Sequence, residues 1–327
     1  MELEKINRFI LERTNAEKIT GRIEVQRLWG GYGAIQKISL KGADFPSVVV
    51  KYVQPGRGSH PRGWNTDLSH QRKLKSYQIE TTWYASQKNK DGNNFARIPR
   101  CIGTQKEEDE ILLVLEDLDA SGFAGRRQSV NQTEWRACVR WLAAFHAQNL
   151  NLKPEGLRAS GTYWHLETRP DELECLEDQA LKNSAAAIDR TLKDCFFQTL
   201  VHGDAKLANF CFSLDGSEVA AVDFQYVGGG CGMKDLAYFV GSCFRDDESE
   251  RMESTLLDFY FREIGGILAD MGSEVSGDQL ETDWRPLYRV AWADFHRFMK
   301  GWSPGHWKLS DYSERVTCEV MEGLQRE

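Results

Sequence analysis

The chain has 327 residues, with 41 Lys and Arg against 49 Asp and Glu and a formal charge of −8. The length allows two units, each with its own core, and the excess of acid disfavours a nucleic-acid binder, which needs a basic face to release counterions. A hydrophobic fraction of 41%, no apolar run of the roughly 18 residues that span a bilayer and no signal-peptide core at the start together predict a soluble, cytoplasmic protein.

Residues 1–20 read as a helix with Leu3, Ile6, Phe9 and Ile10 on one face. Three β-rich runs follow, at 22–28, 34–41 and 47–53, broken at "GGYG" and "KGADFP"; the pattern predicts an antiparallel meander with a glycine-rich first turn. "QPGRGSHPRGWN" (54–65) is expected to be a loop, and 66–88 a long helix with Leu74, Tyr77, Thr81 and Tyr84 at helical spacing. Strands then return and end in the apolar "ILLVL" (111–115). Beyond residue 118 helices dominate. One is expected at 133–149, with Trp135, Cys138, Leu142 and Phe145 on one stripe, and another at 170–197, opened by Pro170. "TLVHGDAKLANFCFSLDGSEVAAVDFQYV" reads as strand, loop, strand, a tight turn at Asp215-Gly216, and strand. Residues 233–327 are helical and rich in aromatic rings. The expected fold class is therefore α+β, with a β-rich part over 1–117 and a mostly helical part over 118–327. Eight scattered cysteines without a C-x-x-C pair disfavour zinc and disulfides and predict buried thiols.

Phosphoryl transfer from ATP asks for charge neutralisation and alignment more than for covalent chemistry. "VHGDAKLANF" (201–210) holds an aspartate and an asparagine five apart behind a short apolar strand. Asp204 is placed to accept a hydrogen bond from an acceptor hydroxyl. Asn209 and Asp223, the latter after the next hairpin, offer the hard oxygens magnesium prefers. H-G-D alone is read most simply as a turn whose aspartate caps local amides; the asparagine at +5 and the "VDF" after a hairpin favour catalysis. Lys51 ends the strand "SVVVK" and Glu80 lies on the following helix. Each alone is an ordinary surface charge; as a pair they could grip the α- and β-phosphates. The turn bearing Gly30, Gly31 and Gly33 precedes Lys51 on the same sheet and could cover a nucleotide. It matches neither the P-loop nor the dinucleotide fingerprint.

The order of glycine turn, Lys, helix Glu, H-G-D-x-x-x-x-N and D-F resembles the protein-kinase-like fold. In detail it is similar to the small-molecule branch: aminoglycoside phosphotransferases, choline and ethanolamine kinases and the ecdysteroid-kinase-like group. "VDFQYVGGGCGMKDLAYFVGSCF" is most like the last two, "LLVLEDL" resembles the segment that joins the family's two lobes, and "AAFHAQN" the helix before the catalytic segment. The resemblance spans roughly residues 25–245. It implies a two-lobed fold with a small antiparallel sheet and a mostly helical second lobe. It also implies ATP and Mg²⁺ as cofactors, and transfer to a small-molecule hydroxyl. Glu116 and Leu118 would border the nucleotide. Lys206 stands where many relatives carry an apolar or aromatic residue and where protein kinases carry a γ-phosphate lysine. Only "YVGGGCGMK" follows the "DFQ", too little for a peptide platform, so no protein substrate is expected.

His202 reads as a brace for the loop, not as the base, and Asp235 as a brace beside it. Two competing readings are a pseudokinase-like binding protein and an oxidoreductase built on "VGGGCG". The presence of Lys51, Glu80, Asp204, Asn209 and Asp223 argues against the first. The second lacks its strand–GxGxxG–helix fingerprint. Residues 283–302 are expected to form one helix with Trp284, Tyr288, Phe295, Phe298 and Trp302 near one face and with Trp292 and Asp294 flanking it. Such a stripe is more often core than pocket. If Trp284, Tyr288, Trp292 and Trp302 wall the acceptor, rings beside a carboxylate suit an ammonium and rings alone suit a flat alcohol. The expected acceptor has an apolar body or an amine and is not a highly hydroxylated sugar.

Overall fold

The computed structural model describes residues 1–55, 67–87 and 96–326, so almost all of the loop expected at 54–65 lies outside the described residues. The chain divides into two compact units. The first is Met1–Gly125 together with Cys211–Leu214 and Ala220–Gln225; the second holds the remainder.

The first unit contains α1 (Leu3–Thr14), β1 (Lys18–Arg27), β2 (Gly33–Lys41), β3 (Ser47–Val53), α2 (Asp67–Gln87), β4 (Cys101–Glu107) and β5 (Glu110–Glu116). The strands make one antiparallel sheet in the order β1-β2-β3-β5-β4. β3 and β5 are interior neighbours, which explains their nearly continuous apolar runs. Their side chains alternate between faces. Val48, Val50, Leu112 and Val114 pack with Ile6 and Ile10 of α1, whereas Val53 and Ile111 pack with Tyr77 of α2. Leu3, on the first turn of α1, stays exposed. Within the first-unit turn "GGYG", Gly30, Gly31 and Gly33 all have positive φ, and a Cβ on Gly33 would lie 2.0 Å from the Tyr52 carbonyl oxygen. That position tolerates no side chain.

The later elements are α3 (Gln132–Gln148), α4 (Pro170–Glu174), α5 (Gln179–Lys193), β6 (Thr199–Val201), β7 (Phe210–Phe212), β8 (Val219–Ala221), β9 (Gly228–Gly230), α6 (Met233–Cys243), α7 (Asp246–Asp270), α8 (Gly277–Trp284), α9 (Leu287–Trp302) and α10 (Asp311–Leu324). Asn131 and Glu134 close a capping box on α3. The helix is buried nearly all round, including its stripe of Trp135, Cys138, Leu142 and Phe145.

Four expectations change. The single helix at 170–197 is two, because the Asp178 side chain accepts from the Leu181 amide and starts a new helix there. The single helix at 283–302 is also two: α8 ends at Trp284, and Pro286, which has no amide hydrogen to donate, opens α9. The helix expected at 1–20 ends at Thr14, where Asn15 takes the left-handed conformation, and β1 already begins at Lys18. The "GGG" segment is strand β9, antiparallel to β6. A Cβ on Gly228 would lie 2.3 Å from the Arg158 carbonyl oxygen, so only glycine admits that approach. All eight cysteines are free, but Cys175 and Cys318 are exposed, not buried.

Candidate active site

The period-two alternation of β3 turns Lys51 to the face that α2 covers. α2 in turn buries Ser76, Tyr77, Glu80, Trp83 and Tyr84. Glu80 is thus an interior carboxylate and not the solvated charge a helix glutamate usually is. Lys51 Nζ donates to Glu80 Oε2 at 2.6 Å, lies 3.5 Å from Asp223 Oδ1 and sits 5.5 Å over the Tyr77 ring. Burial alone would lower Lys51, but the charges of Glu80 and Asp223 outweigh it and hold the ammonium above its ordinary range. Burial raises Glu80 to about 7 against the pull of Lys51, and Asp223 adds to the rise. Two carboxylates share one ammonium, and the more deeply buried one bears the surplus.

Asp223 itself has φ +69°, a left-handed conformation that costs a non-glycine residue energy. Its neighbours hold it there. Phe224 stacks on Trp83 at 5.3 Å and meets Tyr84 edge-on at 5.6 Å. Gln225 Nε2 donates to Asp223 Oδ1 at 2.6 Å, while Gln225 Oε1 accepts from Ser76 Oγ at 3.1 Å. The "FQ" of "DFQ" therefore clamps the aspartate to α2, a role for Ser76 and Gln225 that spacing alone did not reveal. Glu116 accepts from Arg97 at 2.5 Å and from the Arg100 amide at 2.9 Å, and Leu118 is buried beside Cys211 and Ala220. Both side chains are engaged within their own unit.

In the second unit, β6 leads into His202-Gly203-Asp204. Gly203 has φ +80°, and a Cβ there would meet the Tyr226 carbonyl oxygen at 2.2 Å. Asp235, in the first turn of α6 and fully buried, accepts from the His202 amide at 2.5 Å and from the Gly203 amide at 2.9 Å. His146 Nε2 lies 3.2 Å from the same carboxylate, and its Nδ1 is 2.8 Å from the Tyr260 hydroxyl. His202 braces the loop from inside: its Nδ1 accepts from the Asp204 amide at 3.2 Å. Asp204 is 4% exposed. Lys206 Nζ donates to Asp204 Oδ2 at 2.9 Å, and Asn209 Nδ2 donates to the same oxygen at 3.0 Å and to the Asp204 carbonyl at 2.7 Å. With its nitrogen so used, the carbonyl Oδ1 of Asn209 is the atom a cation would take. The phenols of Tyr163 and Tyr238 also flank Asp204. Burial, and then the Asp204 charge, push both above the ordinary tyrosine range and keep them neutral.

Of the four rings expected to wall the acceptor, Trp284 and Tyr288 are fully buried; Trp284 Nε1 donates to the Phe197 carbonyl at 2.9 Å. Trp302 is half-buried and stacks on Phe298 at 5.7 Å. Trp292 donates to Ser313 Oγ at 3.0 Å and lines a small cavity with Phe295, Trp307 and Lys308. Asp294, the carboxylate that an ammonium would have met, accepts from Trp164 Nε1 at 3.0 Å and from Arg297 at 2.8 Å and is fully buried. It is spent inside the fold.

This chain belongs to the phosphotransferase enzyme family, whose model matches residues 68–272. That stretch includes Glu80, Asp204, Asn209 and Asp223; Lys51 and the glycine turn precede it, and Lys308 follows it. Among solved structures the chain is similar to a microcompartment-associated aminopropanol kinase (13% identity over 99% of this chain and 98% of that one, TM-score 0.52). It is also similar to a thermostable mutant of an aminoglycoside phosphotransferase, solved as a ternary complex with ADP and hygromycin B (12% identity, 96% and 98% covered, TM-score 0.52). A third is a putative fructosamine-3-kinase from Haemophilus somnus (13% identity, 98% and 96% covered, TM-score 0.50). At such identities the likeness is one of fold, and the fold is protein-kinase-like. No curated protein matches the chain.

Proposed function

We infer that this phosphotransferase moves the γ-phosphoryl group of ATP, with magnesium, to a hydroxyl of a small molecule. One observation carries the reading: Lys206 and Asn209 both converge on Oδ2 of the buried Asp204 within a single loop. A carboxylate, a cation and an amide oxygen are the parts a phosphoryl-transfer loop needs, and a structural turn has no use for so much buried polarity.

Asp204 is assigned to align the acceptor hydroxyl and take its proton as the new O–P bond forms and ADP departs. Lys206 would meet the transferred phosphate. Lys51, fixed by Glu80, would bind the α- and β-phosphates, and Gly30, Gly31 and Gly33 would let the backbone approach them. The proposed magnesium ligands, Asn209 Oδ1 and the Asp223 carboxylate, are both hard oxygens, with no thiol or imidazole, and so fit that ion. Bound there, magnesium would neutralise charge on the phosphate oxygens. Among the described residues no cluster of three His, Cys, Asp or Glu forms a protein-only metal cage.

The test is transfer from γ-labelled ATP, with Mg²⁺, to a panel of amino alcohols, hydroxy acids, aminoglycosides, sugars and sterols. Labelled product made by the wild type and lost in Asp204→Asn is expected. Magnesium-dependent ATP binding with no product from any acceptor would instead leave a nucleotide-binding protein without turnover.

A further inference from the structure

Beyond the family-matched stretch, the chain places its own cation in a ring cage of the second unit. Lys308 Nζ lies 5.1 Å over the Tyr238 ring, 5.3 Å over Phe295 and 5.6 Å over Trp307. Cages of this kind bind ammonium ligands, but here the chain's own lysine fills it. Lys308 is half-buried, and no carboxylate of the described residues lies within ion-pair distance of it. The adjoining cavity of about 20 Å³ is lined by Lys308, Trp292, Trp307 and the hydroxyl-bearing Ser249, Ser310 and Ser313, with no Asp or Glu in its wall. Its size suits one or two water-sized groups, such as the oxygens of a carboxylate. Tyr238 connects this place with the proposed base: its ring lies under Lys308, and its hydroxyl feels the charge of Asp204. The charges of Asp204 and Lys206 reach Lys308 in turn.

We propose that Lys308 selects the acceptor, and that the acceptor carries a carboxylate seated in this cavity against the Lys308 ammonium. The inference rests on the reading of Asp204 as the group that aligns the acceptor hydroxyl. An ammonium-bearing acceptor would meet a resident cation in the cage and no carboxylate in the cavity wall, with Asp294 already bound to Arg297 and Trp164. A carboxylate would supply the close counter-ion that Lys308 lacks, and the Ser249 hydroxyl, unlike those of Ser310 and Ser313, which donate to Ser313 and to the Lys308 carbonyl, can donate to its second oxygen. Burial lowers Lys308 to about 8, so it is still mostly cationic at neutral pH.

Three matched alcohols test this: 4-(hydroxymethyl)benzoate, its primary amide and 4-(hydroxymethyl)benzylamine. Each is titrated calorimetrically into the full chain at pH 7 and supplied as acceptor with MgATP. The carboxylate should bind at least about tenfold tighter than the amide, as one charge-assisted pair provides, with the amine weakest. Lys308→Met should erase this ranking and Lys308→Arg should keep it. An amine that binds as well as the carboxylate, an unchanged ranking in Lys308→Met, or binding of none of the three would overturn the proposal. Should Lys308→Met not fold, the wild-type ranking and Lys308→Arg still decide. Tight carboxylate binding without transfer to any acceptor would uphold the subsite and count against phosphotransfer. Transfer to the amine in preference would do the reverse.

Discussion

Asp204 has little freedom: Lys206 and Asn209 hold one of its oxygens, and His202 holds its amide. An amide in its place would keep the shape but could take no proton. Asp204→Asn should lower kcat by a factor on the order of 10² or more, with ATP affinity within a few-fold of wild type by calorimetry. Wild-type turnover in the variant would remove Asp204 from the base role. Lys308 offers a prediction about stability. Its ammonium loses hydration on folding, so its folded pKa of about 8 lies below the unfolded lysine value of 10.5. The unfolded chain then holds more protons between those values, and stability should rise with pH through that window. The cost is fully present below pH 8 and relieved above it. Lys308→Met should therefore melt a few degrees higher than wild type at pH 7, and this difference should shrink by pH 10. A constant difference across the range would show that packing, not charge, decides.

Single side chains at element ends set the geometry of the loop. α6 begins where Asp235 can take the amides of His202 and Gly203, so the helix start and the Asp204 loop share one carboxylate. Asp235→Ala leaves both amides buried and unpaired, a loss of about 2–6 kcal/mol for two groups, to be read by urea unfolding. Activity should fall with it, and an unchanged unfolding midpoint would show that the loop holds itself. β9 is an element made by glycine. Gly228→Ala puts a methyl carbon 2.3 Å from the Arg158 carbonyl oxygen, and the backbone must yield. Overpacking of this kind costs about 1–3 kcal/mol, and the melting temperature should fall accordingly.

At the scale of the whole molecule, the chain has a net charge of −8, to which ATP, if bound, would add further negative charge. If Asp223 is a magnesium ligand, ATP should stabilise the protein strongly only with the metal. Ligand at a hundred times its Kd adds about 2.7 kcal/mol to the native state, which thermal melting resolves. EDTA should cancel most of the shift in the wild type, and Asp223→Ala should show little metal dependence at all. Equal metal dependence in variant and wild type would refute the assignment. No helix among the described residues is long and apolar enough to cross a membrane.

The parts whose signals are local can be read along the chain. Alternation and apolar runs located β2, β3 and β5, helical spacing located α3, and the H-G-D-x-x-x-x-N spacing located the Asp204 loop, because these depend on neighbours a few residues apart. The family followed from the order of those parts. Other features were decided only in three dimensions. That Glu80 faces inward to Lys51 depends on which side of α2 meets the sheet. That "GGG" is a strand depends on its pairing with β6, and that Gly228 must be glycine depends on the Arg158 backbone, brought in from far along the chain. The breaks at 175–178 and at Pro286 were partly readable from Asp178 and the proline, but strong apolar periodicity on either side masked them. Ser76 carries no motif, and the segment holding Gln225 and Tyr238 signals the family without their roles, which arise from contacts across long stretches of sequence. Asp294 and Lys308 are the clearest case. By spacing, a carboxylate beside aromatic rings suggests a cation site; packing instead gives that carboxylate to Arg297 and fills the ring cage with the chain's own lysine. Charge placed by tertiary contacts has no local period, so no reading along the chain could assign it.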